Sequence, residues 1–168
     1  MYVPQPLDIV VVEGQWFMPH HWLIKWRTLD CGVHCIIVRD EKGGLYNPIF
    51  SGIKTDGKYG NISFYKGRKV TVLRYEQLPT SNKIMEWLEQ TTKESEGYDF
   101  IGQWLFGFVC GMFTSKLTND ERAWTCAELP YWAFQDNGYE LTSRPEVLPM
   151  PRLFKYHKDF KVVFEGTL

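Results

Sequence analysis

Short β-branched runs and one amphipathic repeat dominate the pattern of apolar and polar positions. Ile9-Val10-Val11-Val12 is closed by Glu13-Gly14; it is too short for a helix and rich in side chains that suit a pleated surface, so it predicts a buried strand. Val33-His34-Cys35-Ile36-Ile37-Val38 predicts a second strand, stopping at Arg39 to Gly44, where charge and paired glycines suit a hairpin turn. Leu45-Tyr46-Asn47 is then the returning strand. Lys69 to Tyr75 alternates, with Val70, Val72 and Arg74 on one face and Thr71, Leu73 and Tyr75 on the other, as a strand does. Pro79-Thr80-Ser81 opens a helix in which Ile84, Trp87, Leu88 and Thr91 recur at i, i+3, i+4 and i+7, with a break at Gly97. Trp16 to Leu29 is an aromatic segment, helical or looped. Tyr98 to Met112 predicts a further apolar helix loosened by three glycines, and Phe160 to Phe164 a closing strand. The expected class is α+β, an antiparallel sheet between helices.

Composition narrows the choice. At 168 residues the chain suits one domain over 1–168 with a sizeable core. Hydrophobic residues are 44% and charged ones 23%, with Lys+Arg 19 against Asp+Glu 20, which excludes a disordered chain or a broadly basic nucleic-acid binder. Lys54, Lys58, Lys66, Arg68 and Lys69 are scattered among glycines and read as a solvated loop face. Seven Trp and 16% aromatic residues point to thick aromatic packing or a ring-lined groove. Met1 to Val12 does not read as a secretory signal. Ile101 to Phe113 is shorter than the roughly 20 residues a membrane span needs, so no transmembrane segment is expected. Location within or outside a cell is left open.

Four cysteines, at 31, 35, 110 and 126, read as thiols in a chain large enough to need no disulfides. Cys126 stands out: it follows Thr125, and Thr125 with Glu128 matches the Thr-x-x-Glu capping box that opens a helix. A sulfur at a helix N-terminus gains thiolate character from the dipole and the unpaired amides. A lone cysteine is otherwise a small buried apolar residue. A thiolate nucleophile needs a base, and of four histidines His34 alone lies in a strong strand, which fixes its ring. A strand histidine taken alone is more often a satisfied core residue. Asn47, on the adjacent strand if Arg39 to Gly44 is the turn, can accept the imidazole N–H, although a turn residue before Pro48 is the plainer reading. Trp124, Trp22 and Trp26 are expected along a substrate wall. Cys31, His34 and Cys35, with His20 or His21, do not make a standard zinc pattern, and alternation sends His34 and Cys35 to opposite faces; no metal or other cofactor is expected.

Five segments resemble the permuted papain-like amidases of the NlpC/P60 superfamily: Asp8-Ile9-Val10-Val11-Val12, Leu23 to Thr28, Gly32 to Val38, Tyr98-Asp99-Phe100-Ile101-Gly102 and Trp124 to Leu129. Leu7 stands where the first motif has Gly, Cys35 replaces a small residue, Asn47 stands where such proteins often carry Glu or His, and Pro130 follows the nucleophile motif. The resemblance implies a circularly permuted papain-like fold and a cysteine hydrolase cleaving an amide or ester through an acyl-enzyme. It further implies peptidoglycan or an acylated small molecule as substrate, with a phage tail or host-entry setting. The alternatives are a non-enzymatic tail-tip subunit packed against other virion tail proteins, built on Trp16, Phe17, Trp22 and Trp26, or a lipid-directed acyl hydrolase or transferase.

Overall fold

A computed structural model of the chain describes residues 2–14, 32–49, 51–76, 81–95, 97, 124–141 and 151–168. Six strands, β1 (Ile9–Glu13), β2 (Gly32–Val38), β3 (Leu45–Ile49), β4 (Gly52–Lys54), β5 (Lys69–Tyr75) and β6 (Phe160–Thr167), form one antiparallel sheet in the order β4-β3-β2-β1-β5-β6. Among the described residues three helices accompany it: α1 (Ser81–Glu94), α2 (Glu128–Gln135) and α3 (Pro151–Lys155). The class is α+β. The aromatic segment Trp16 to Leu29 and the helix expected over Tyr98 to Met112 lie outside the described residues.

Alternation builds two cores from one sheet. Val10, Val12, Ile36, Val38, Leu45, Val70 and Val72 pack on one face with Tyr65. Ile9, Val11, Cys35, Ile37, Tyr46 and Leu73 pack on the other against Ile84 and Leu88 of α1, Leu129 and Phe134 of α2 and Phe154 of α3. Each fully buried aliphatic side chain contributes roughly 1.5–3 kcal/mol, so the helices are held by their apolar stripes. Tyr46 Oη also donates to Glu89 Oε1 at 2.7 Å, tying α1 to β3.

The β2–β3 hairpin is closed by Asp40, whose carboxylate accepts from the Lys42 and Gly44 amides at 3.0 and 2.9 Å. Those bonds, the Gly44 amide first, hold the Asp40 carboxyl below the usual range. Gly43 sits at φ 82°, which a side chain would resist. Beyond β4 the chain makes two 3₁₀ turns, Lys58–Gly60 and Ile62–Tyr65. A Cβ on Gly60 would lie 2.3 Å from the Thr55 carbonyl carbon, so the turn packs backbone against backbone at that point. Among the described residues no helix is long and apolar enough to cross a membrane.

Candidate active site

His34 comes from β2, beside an irregularity in the sheet. Val12 pairs with His34 but Glu13 with Gly32, leaving Val33 as an extra residue, a bulge of the kind that re-aims a neighbouring side chain. Asn47 comes from β3. Its strand pairs with β2 at Leu45 and Tyr46, then with β4 from Asn47 onwards, so the carboxamide sits where the two ladders part. His34 Nε2 and Asn47 Oδ1 are 2.9 Å apart. A carboxamide oxygen only accepts, so Nε2 carries the proton and Nδ1 is left for a second partner.

Asn47 is fully buried and held on its other side. Its Nδ2 donates to the Tyr59 carbonyl at 2.8 Å and to Tyr65 Oη at 3.0 Å. Neither tyrosine is among the sequence-predicted site residues. The Tyr65 ring lies at 29° to the His34 ring with centroids 6.3 Å apart, confining the imidazole from its face. Burial, with the nearby Cys126 charge, pushes the Tyr65 phenol up to about 12, so it keeps its proton at neutral pH.

Cys126 arrives at the head of α2. Thr125 N–H donates to Glu128 Oε2 at 3.0 Å and Glu128 N–H to Thr125 Oγ1 at 3.2 Å, the reciprocal capping box that the sequence predicts. The Leu129 amide reaches the Thr125 carbonyl at 3.3 Å and the Tyr131 amide the Ala127 carbonyl at 3.2 Å. Between them Pro130 has no N–H to return to the Cys126 carbonyl, which is why regular helix starts at Glu128 rather than at Cys126. The cap nonetheless fixes Cys126, which is 5% exposed.

The sulfur and the imidazole meet. Burial by itself lowers the affinity of His34 for a proton; the hydrogen bond to Cys126, the negative charge of that sulfur and the bond to Asn47 together outweigh it, against a smaller opposing effect of Arg68. The net direction is upward from 6.5, as a neighbouring negative charge and hydrogen bonds to the ring favour its protonated form. Arg68 is no freely solvated loop cation: its guanidinium donates to the Glu13 carbonyl at 2.8 Å, and burial lowers its pKa.

Cys126, His34 and Asn47 are therefore brought together. Trp124 lies two residues before the sulfur, its ring edge-on to Trp87 with centroids 5.6 Å apart. Trp22 and Trp26 lie outside the described residues, as do Trp16, Phe17, Cys31, Cys110, His20 and His21. Cys35 is buried in the core facing the helices, and neither it nor Cys126 is in a disulfide.

No family model matches the chain, and no curated protein matches it. Among solved structures it is similar to the metalloprotein yiiX from Escherichia coli O157:H7, DUF1105, at 13% identity with a TM-score of 0.66, covering 99% of this chain and 100% of that one. A likeness at that identity shows the fold alone. These findings overturn the resemblance to the NlpC/P60 amidases: a solved structure that matches end to end bears a different description, and no family model matches. Amide or ester hydrolysis of peptidoglycan or lipid, and the virion-tail setting, fall with it. The physical reason lies in the motifs. A β-branched strand, a hairpin and a Thr-x-x-Glu cap are demanded by local structure, and they recur wherever a sheet meets a capped helix.

Proposed function

We propose that this protein is an enzyme in which Cys126 is the nucleophile, His34 the base that takes and returns its proton, and Asn47 the residue that orients the imidazole. The observation that carries the reading is the hydrogen-bonded series Cys126, His34, Asn47, closed on its far side by Tyr59 and Tyr65. Nucleophilic sulfur chemistry needs three things: a thiolate, a proton carrier of matched acidity and a fixed ring. Here the capped helix presents the sulfur, the raised His34 stores the proton beside it, and the carboxamide selects the tautomer with Nδ1 towards the sulfur. Along the chain the strands supply the imidazole and the carboxamide first, and the helix supplies the sulfur last. The chemistry proposed is attack of sulfur on an electrophilic carbon, the thiol proton passing to His34 and from there to the group that the carbon releases as its bond to that group breaks.

The similar solved structure is described as a metalloprotein, and the donor set decides whether a metal suits this site. Cys126 and His34 offer one sulfur and one nitrogen, whereas zinc sites take three or four protein ligands. Among the described residues no group of three or more His, Cys, Asp or Glu could hold an ion, and the Asn47 carboxamide is committed on both its atoms. A metal does not fit the site that these residues form.

Alkylation with iodoacetamide tests the reading. Cys126 of the folded protein should label at neutral pH faster than the thiols of the denatured chain, and His34→Ala should slow it by about a hundredfold, the low side of what a positioned proton carrier supplies. Buried Cys35 serves as the internal control and should stay unlabelled. A Cys126 no more reactive than a denatured thiol sinks the proposal.

A further inference from the structure

A groove of about 450 Å³ opens between α1 and α2, lined by Trp87, Gln90, Thr91, Glu94, Trp124, Trp132 and Asp136. Its volume suits a small ligand, and its chemistry is one-sided. Three indoles supply aromatic surface, two carboxylates supply charge, and no lysine, arginine or histidine is among the described lining residues. Both carboxylates stand at helix C-termini: Glu94 is the last residue of α1 and Asp136 caps α2. Outward-pointing carbonyls there add partial negative charge to the side chains and favour a cation.

The polar groups already in place do not neutralise that charge. Gln90 Nε2 donates to Glu94 Oε1 at 3.0 Å, and the Trp87 indole N–H bonds the Asp136 carboxylate, whose pKa partial burial nonetheless raises. Both contacts are neutral donors that orient the carboxylates and leave the charge. Aromatic walls with acidic groups are what a cation bearing carbon substituents needs: the ring faces attract it electrostatically and cover its methyl or methylene groups, while the carboxylates supply the counter-charge. A bare metal ion finds too few oxygens here and three indoles that cannot ligate it. A phosphate or other anion meets only like charge.

We propose that this groove binds an organic ammonium group, such as a methylated or alkyl ammonium. The proposal is independent of the chemistry at Cys126, because binding is read without turnover.

The test is titration of the full chain with tetramethylammonium and choline chloride at constant ionic strength, followed by tryptophan fluorescence and by the indole N–H resonances. Choline's neutral isostere 3,3-dimethylbutan-1-ol and N-acetylglucosamine are the controls. Both cations should bind saturably and perturb Trp87, Trp124 and Trp132, with the neutral alcohol at least about tenfold weaker, the scale of a desolvated cation–π contact with its counter-charge. Trp132→Ala should weaken choline by a similar factor. So should Glu94→Gln combined with Asp136→Asn, which alters two exposed side chains and keeps the test open should the tryptophan variant fail to fold. Equal or tighter binding of the alcohol or the sugar, an unchanged affinity in the carboxylate variant, or no saturable response to either cation would overturn the assignment.

Discussion

Two polar clusters hang from the same sheet, and they are wired in opposite ways. At the entry to β1, Asp8 is fully buried and accepts from Tyr2 Oη at 2.7 Å, the Gln5 amide at 3.1 Å, and Arg74 Nε and a terminal guanidinium nitrogen at 2.7 and 2.9 Å. Its charge is matched by a two-pronged cation from β5, and Arg74 and Tyr2 are both driven to hold their protons more firmly, Arg74 mainly by its bonds to Asp8 and Tyr2 by burial and then Asp8. Arg74 and Tyr2 therefore keep their protons through the neutral range. At the parting of β2 and β3, the acceptor is a neutral carboxamide, and beyond it sit an imidazole and a thiol, two groups whose ordinary pKa values lie within a few units of pH 7. A saturated cluster of fixed charge secures the fold, whereas a cluster with a transferable proton is equipped for chemistry.

The contrast is tested first on the closed cluster, where the largest effect is expected. Arg74→Ala strands a buried carboxylate, which costs about 3–5 kcal/mol; the Arg74 side chain is 31% exposed, which sets the lower end of that range. Urea denaturation should show the loss, while the iodoacetamide rate of Cys126 in the folded fraction stays as in wild type. A parallel fall in that rate would mean that the two clusters act as one.

Asn47→Ala should cost less, about 1–3 kcal/mol, because it leaves buried polar partners unmatched. It also removes one of the influences that raise His34, so the imidazole titration moves down and Cys126 labels more slowly. Unchanged labelling in a folded Asn47→Ala protein would reduce the carboxamide to a structural strut.

The smallest effect on stability, within about 1–2 kcal/mol for a small buried side chain, is expected from Cys126→Ala, and it is the most informative about protonation. In the wild type His34 lies above 6.5, so folding takes up a proton there. Its contribution to stability is complete below about 6.5 and lost as pH rises through the elevated folded value. Without the sulfur, burial is the largest remaining influence and exceeds the Asn47 bond. The folded value then drops below 6.5, and the His34 contribution reverses slope, stability being lost as pH falls. An NMR titration of the His34 ring in both proteins reads the change directly, and a ring that titrates alike in both would break the assignment of its shift to Cys126.

Much of this was legible in the chain because it rests on local rules. β-branched runs located β1, β2 and β5, with Val72 and Leu73 on opposite cores, and the i, i+3, i+4, i+7 pattern gave α1 its buried Ile84, Leu88 and Thr91. The hairpin's glycines set the reach from His34 to Asn47, and the capping box placed Cys126. Other parts carry no such signal. Tyr65 and the Tyr59 carbonyl stand on 3₁₀ turns in a glycine-rich stretch without periodicity, and β4 and α3 have only three and five residues, too few for one. Leu7 adopts φ 68° while 1% exposed; a left-handed backbone costs roughly 1–2 kcal/mol, which the burial of a leucine offsets at about 1.5–3 kcal/mol. That balance explains how a bulky residue can stand where the resembling motif has glycine. The same locality misled the family assignment, since motifs written by strands and caps describe a scaffold more than a lineage.

The order of His34, Asn47 and Cys126 along the chain also bears on when their cluster can assemble. His34 and Asn47 leave the ribosome 13 positions apart, but the sulfur follows His34 by 92 positions, and β6, which completes the sheet beside β5, comes later still. Contacts so distant in sequence form late, after the entropy of closing long loops has been met. The His34–Asn47 pair is thus a local contact of one hairpin, whereas the meeting of His34 with the sulfur requires the sheet and α2 to have docked.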